Sequence, residues 1–424
     1  MSNAELALHV FLLLAAIIGA CKLMGVIARK LGQAQVIAEM VTGFLLGPSL
    51  FGWLAPDASA WLFRPDVMPS VYGLAQIALT LYMFTVGLEF EGGLLRRSIR
   101  QAAPVSLAGL LAPFALGGGV GILLRSSGGF FSESMSASQA ALFLGASLSI
   151  TAFPMLARFL SERGLSGTAI GTLALAAGAM GDVAAWLIFA IVVASFKGDA
   201  SIAVIAFVGA AAYAAVVYGP LRPWLRRLAR QAEESGEVSQ ATFGTILMLL
   251  MIGAWFTDRI GVHSVFGAFI LGTAVPRGRL AQELQRSIGP VTLGLLLPLY
   301  FVYSGLHTQV GLVDTPSLWL VTLAIFAVAC LGKGGACWLA ARFNGAAQAE
   351  ALGIGTLMNA RGMMELILLN IGRERGLITP TLFTILVLMT LATTLMATPL
   401  FSLLYRPTAS PAIHDDDAAV VRGA

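Results

Sequence analysis

Charge is unusually scarce in this chain. Of its 424 residues only 11% are Asp, Glu, Lys or Arg, while 58% are hydrophobic, and mean hydropathy is +0.85. A soluble domain carries roughly a quarter charged residues, so a water-facing globule is excluded. Cysteine is scarcer still, with three in the chain. Cys21, Cys330 and Cys337 all lie in apolar runs, which implies no disulfide framework. Between Arg163 and Lys197 the sequence offers one charge, Asp182.

What fills the chain is apolar sequence in runs long enough to cross a hydrocarbon layer of about 30 Å. Thirteen candidate spans follow, at 5–28, 36–52, 70–89, 101–124, 138–160, 166–195, 200–219, 240–257, 262–275, 289–306, 317–340, 350–371 and 379–404. The chain is expected to be an all-α polytopic membrane protein. The first run lacks a basic leader and a small-residue cleavage site, so it reads as a retained helix. The formal net charge of +4 and pI of about 9.1 reflect topology, not nucleic-acid binding. Arg29/Lys30, Arg96/Arg97/Arg100, Arg163, "RPWLRRLARQ" and "PRGRLAQELQR" all follow odd-numbered spans. Basic loops face the cytoplasm, which places the N-terminus outside and the C-terminus inside. Residues 407–424 read as a disordered cytoplasmic tail, with no soluble regulatory domain expected.

The spans divide into six, a linker and six. Two at matching places are interrupted. "ASLSITAFPMLARFL" in the fifth carries Ser147, Ser149, Thr151 and Pro154, and "GTLMNARGMMELILL" in the twelfth carries Asn359, Arg361 and Gly362. Proline removes a backbone donor and glycine weakens a helix. Interrupted spans at corresponding positions of two halves point to a transporter built from two inverted six-helix repeats.

A carboxylate at the middle of a span is costly unless it faces protein or water, so Asp182 is a candidate functional group. Burial raises its pKa and a nearby cation lowers it; a group held between those influences can exchange a proton for a cation. Lys333 lies deep in the eleventh span, with either an electrostatic role or one in proton carriage. Arg361 and Glu365 are four apart and form either a self-contained pair or a device at the helix break. Glu39, Glu89 and Glu91 lie at cytoplasmic ends of spans, where solvated or mouth-lining roles are expected.

Eight segments, in order, resemble the monovalent cation:proton antiporter family, in the branch holding Kef-type, NapA-type and plant CHX-type transporters. They are "EMVTGFLLGPSLFG", "LYMFTVGLEFEGGLLRR", "SLSITAFPMLARFLSERGL", "GDVAAW", "FGAFILGTAVP", "LPLYFVYSGLHTQV", "LGKGGACWLAARF" and "MNARGMMELILLNIG". The resemblance implies an NhaA-like fold whose fifth and twelfth spans are broken helices crossing at mid-membrane. Residues 1–406 would form the transporter domain. Its panel would be 5–89 and 240–306, its core 101–195 and 317–404, and its linker helix 200–219. A homodimer, elevator-like alternating access and no cofactor would follow. Asp182 would bind cation and proton in turn, beside Thr151, supported by Gly181, Ser149, Pro154, Lys333, Asn359, Arg361 and Glu365. Na⁺, K⁺ or Li⁺ would be the cargo, and a bacterial inner membrane the setting, with pH homeostasis as the role. One departure stands out. Many relatives place an acid or amide just before the essential Asp, where this chain has Gly181. Lys333 is then left to pair with Asp182, find another acid, or sit neutral.

Two other classes are weighed. "GAMGD" comes within one residue of the Gly-x-Gly-Asp motif of intramembrane aspartyl proteases, but Ala179 stands where glycine is required. The second catalytic Asp such enzymes need is missing from the spans, Asp258 falling at a span's end. A sodium-coupled organic-anion symporter on a related fold is the other alternative, disfavoured by the thirteen-span layout.

Overall fold

The computed structural model describes residues 2–405 except 34, 90–91, 152–155, 157–158, 161–162, 166–167 and 197–199. It describes only the backbone at 36, 92–99, 179, 182–183, 185–187, 189–196, 200–203 and 363–364. Pro154, Glu91 and the tail therefore lie outside the described residues, as does the side chain of Asp182.

In lipid each backbone polar group must be satisfied within the chain, which this sequence achieves with helices. α1 (Asn3–Lys30) and α2 (Gln35–Leu46) lead, through the short helices Phe51–Leu54 and Pro56–Leu62, to α3 (Met68–Glu89), α4 (Gly92–Ser127) and α5 (Ala137–Ser149). α6 (Ala169–Phe196), α7 (Ala200–Val216), α8 (Arg222–Ser235), α9 (Gln240–Arg259) and α10 (Ser264–Ala274) come next. The order ends with α11 (Arg279–Val291), α12 (Leu297–Leu306), α13 (Pro316–Ala329), α14 (Ala336–Phe343), α15 (Gln348–Met358), α16 (Met363–Glu374) and α17 (Pro380–Leu404). Among the described residues, nine helices are long and apolar enough to cross a membrane.

Local chemistry fixes the helix starts. Ser136 Oγ accepts from the Gln139 N–H while the Ser136 N–H donates to Gln139 Oε1, a capping box that opens α5. Thr379 caps α17 and Pro380 follows at its first position, where a missing N–H costs nothing.

Among the described residues three π-helical turns interrupt the α pattern: Val217–Leu221, Thr292–Leu296 and Cys330–Gly335. They join α7 to α8, α11 to α12 and α13 to α14. The seventh and tenth spans are accordingly longer than their apolar cores. Each is continuous with an amphipathic helix, which buries Leu225, Ala229 and Ala232 in α8 and Leu280 and Leu284 in α11. A hydropathy window reads only the apolar part of such a helix.

The helices pack in two groups. α1, α2, α3, α9, α10 and α12 contact one another, and so do α4, α5, α6, α14, α15 and α17. α2 meets α17 between the groups, and α7 touches both α6 and α9. Within the first group α2 and α12 meet backbone to backbone. A Cβ on Gly43 would overlap the carbonyl of Phe301, and one on Gly305 would overlap the backbone of Gly43. Small residues permit such close approach where lipid supplies no hydrophobic drive between helices.

Both expected interruptions are present. α5 stops at Ser149, and Ile150 is extended. In the twelfth span α15 stops at Met358, residues 359–362 are non-helical, and α16 restarts at Met363.

Candidate functional site

The end of α5 sets the problem that the surrounding residues solve. The last carbonyls of a helix have no partner within it, and the aligned peptide dipoles leave that end negative. Stopping α5 inside the protein leaves those carbonyls without water. Three groups answer them. Arg361 Nη1 donates to the Ser147 carbonyl at 3.1 Å, and its Nη2 donates to the Leu148 carbonyl at 2.6 Å. Lys333 Nζ donates to the Ser149 carbonyl. Two cations thus hold the end of α5, and both are fully buried.

Arg361 reaches α5 because it stands in the break of the twelfth span, ahead of α16, not on a helical face. Its own carbonyl accepts from Thr394 Oγ1 of α17 at 2.8 Å. Glu365, in the first turn of α16, accepts from Arg361 Nη1 at 3.4 Å and from Ser147 Oγ at 3.1 Å. The pair read from the sequence is therefore present, but it is not self-contained. It clamps one broken span to the other. A carboxylate in a helix's first turn also complements the dipole there.

Lys333 lies in the π-turn Cys330–Gly335. An extra residue in that turn changes the register of the helix, and π-turns recur at functional sites. Of the outcomes left open for Lys333, the structure adds one that residue types alone do not disclose, a backbone carbonyl. Asn359 caps α15, and its Nδ2 donates to Cys330 Sγ at 3.4 Å. Ser149 Oγ donates to the Gly145 carbonyl at 2.7 Å, with the Leu110 carbonyl 3.0 Å away.

α6 passes directly beside this break. A Cβ built on Gly181 would lie 3.8 Å from Thr151 Oγ1 and 3.7 Å from Ser106 Oγ of α4. Thr151 is buried, just past the end of α5. Asp182, the next residue, lies on this part of α6, and its side chain is outside the described residues. Gly181, Thr151, Ser149, Lys333, Arg361, Glu365 and Asn359 thus converge on the two breaks. Ser106 and Thr394 join them without having been singled out in the sequence. Their signal is weak: Ser106 is one hydroxyl two residues after Pro104, in an otherwise apolar span.

Cavities flank the helices. One of about 410 Å³ is lined by Gln76 and Thr80 of α3, Asp258 of α9, His263, and Glu374 of α16 with Arg375. Another, of about 670 Å³, is lined by Lys22, Arg29, Gln35 and Glu39. Glu39 lines this cavity, is buried, and accepts from Gln35 Nε2 at 3.4 Å. Glu89 stays half-solvated at the end of α3, its Oε1 taking a 2.5 Å hydrogen bond from Gln285.

Comparison with known proteins agrees with this architecture. A family model described as "Sodium/hydrogen exchanger, transmembrane" matches residues 12–406. The chain is 35% identical over 391 residues to the Na(+)/H(+) antiporter NhaS4 of Synechocystis, covering 92% of this chain and 95% of that one. It is 36% identical over 389 residues to Cation/H(+) antiporter 17 of Arabidopsis thaliana, covering 91% of this chain and 47% of that protein. It is 30% identical to K(+)/H(+) antiporter 1 of Saccharomyces cerevisiae, covering 98% of this chain and 50% of that one. The chain spans about half the length of these plant and yeast relatives. In fold it is similar to the sodium proton antiporter MjNhaP1 from Methanocaldococcus jannaschii, with a TM-score of 0.63, 18% identity, and coverage of 94% of this chain and 98% of that one. These relatives are transporters, which sets the protease reading aside. With its match running across nearly all the helices, this chain belongs to the sodium/hydrogen exchanger transmembrane family of integral membrane transporters.

Proposed function

We propose that this chain exchanges a monovalent cation, Na⁺ or K⁺, for protons across a membrane, with Asp182 binding the two in turn. The observation that carries the reading is the approach of α6 to the broken span. Gly181 lies against Thr151 where α5 ends, and the neighbouring residue is the lone carboxylate of its run. A cation released by protonation of Asp182, and bound on its deprotonation, gives obligatory exchange at one site.

Within this reading the two helix groups act as panel and core. The panel holds spans 5–89 and 240–306, the core spans 101–195 and 317–404, and 200–219 is the linker. Twelve of the thirteen spans form two inverted six-helix repeats about the linker, and the core moves in elevator fashion to present the site to either side. The dimer forms through the panel, the N-terminus faces outward, and a bacterial inner membrane is the setting. The cavity at Asp258 and Glu374 then opens outward, and its two carboxylates draw cations toward the moving core. Lys333 and Arg361 stay bound to the end of α5 throughout, as fixed charges and not carriers.

The test is purified protein in liposomes with an internal pH dye. Addition of Na⁺ or K⁺ is expected to change lumenal pH, and Asp182→Asn is expected to abolish the response. Exchange retained by Asp182→Asn overturns the assignment of the site.

A further inference from the structure

The family's acid or amide before the essential Asp is absent here, and the structure indicates what takes its place. Among the described residues outside its own helix, the atoms within 4 Å of a Cβ on Gly181 are two hydroxyl oxygens, Ser106 Oγ and Thr151 Oγ1. Ser106 is 5% exposed and Thr151 3% exposed. Several buried threonine hydroxyls elsewhere in the spans donate to the carbonyl one turn back. Thr42 bonds Ala38, Thr322 bonds Leu318, Thr356 bonds Leu352 and Thr390 bonds Leu386. Among the described residues neither Ser106 Oγ nor Thr151 Oγ1 donates to such a carbonyl. Two hydroxyls facing one side-chain-free spot are placed for a ligand that accepts oxygen lone pairs.

We propose that Ser106, Thr151 and the missing side chain of Gly181 form a notch that admits the larger alkali cations, K⁺ and Rb⁺. This rests on the antiport reading above and adds to it a ligand from α4 and a size filter. Each hydroxyl offers lone pairs to a cation shedding its water. Ordinary contact distances to the built Cβ mean that one added methyl group fits without moving the backbone, and it takes the space the larger ion uses. Selectivity in such sites follows cavity size and the number of oxygens.

The experiment uses the full chain in liposomes, with Li⁺, Na⁺, K⁺ and Rb⁺ supplied in turn. Gly181→Ala is expected to lower the K⁺-to-Na⁺ ratio of exchange by about tenfold, the low end of what one methyl group does in a fitted site. Its thermal midpoint is expected to hold or rise, since alanine favours a helix over glycine. Ser106→Ala is expected to raise the half-saturating concentration of the exchanged cations while leaving maximal rate and thermal midpoint in place. Gly181→Ala with the wild-type ratio, or Ser106→Ala with wild-type half-saturation, overturns the notch and leaves the antiport reading standing. Wild-type protein that exchanges none of the four cations overturns both.

Discussion

Removing the guanidinium of Arg361 tests whether the two broken spans are held together as described. Arg361→Met keeps the length and apolar bulk of the side chain and deletes its three described hydrogen bonds. The Ser147 and Leu148 carbonyls lose their donors and the Glu365 carboxylate loses its cation. Breaking one side of a buried ion pair costs about 3–5 kcal/mol, because the survivor is left charged in a poor solvent. The opposite substitution, Glu365→Gln, is expected to cost less. Arg361 then keeps both carbonyls at the negative end of α5, and Ser147 Oγ still has an amide oxygen to bond. The double variant removes the stranded carboxylate, so it is expected to be more stable than Arg361→Met alone. An unfolding entropy of about 2 cal/mol/K per residue turns ~4 kcal/mol into a fall of about 4–5 °C in thermal midpoint for a chain of this length. Detergent-solubilised protein, heated and followed by the loss of its monodisperse size-exclusion peak, gives the comparison. Glu365→Gln falling as far as Arg361→Met, or a double variant whose losses simply add, would refute the clamp.

His263 occupies the turn before α10 with φ 99° and accepts from the Val265 N–H through Nδ1 at 3.4 Å. An asparagine side chain can accept the same N–H and tolerates a positive φ, whereas a β-branched side chain does neither. His263→Asn is therefore expected to hold the thermal midpoint and His263→Val to lower it by ~2 °C, from a lost cap and a strained φ worth about 2 kcal/mol; equal midpoints in the two variants would contradict it. At the α2–α12 contact, Gly43→Leu is expected to abolish the folded protein, because the new side chain meets backbone. Gly19→Leu, where nothing lies within 4 Å, is the control and should elute as wild type.

The sequence disclosed what depends on residue type. Hydropathy located the long helices, and the polar clusters at 147–151 and 359–362 marked both interruptions. The scarcity of charge made Asp182, Lys333, Arg361 and Glu365 visible as a set. What stayed hidden depends on the backbone. Lys333 and Arg361 hold carbonyls at the end of α5, and a carbonyl looks the same at every position of a sequence. Placing Arg361 on a helical face gave the right partner in Glu365 but concealed its reach to Ser147 and Leu148. Ser106 could not be separated from other hydroxyls of the spans, since its distinction is a facing glycine 75 positions away. The π-turns have no residue signature of their own.

The glycine contact between α2 and α12 also has a mechanical meaning. Side chains that interdigitate can change rotamer and let two helices slide, but backbone against backbone has no such soft coordinate. α2 and α12 therefore behave as one strut. Compliance lies instead where α2 faces α17, across a pocket of about 20 Å³ lined by Ile37, Phe159, Leu357, Thr394 and Thr398. Those are side-chain contacts, with slack between them. If the core moves as proposed above, this seam is where paired labels on Ile37 and Thr398 should report displacement.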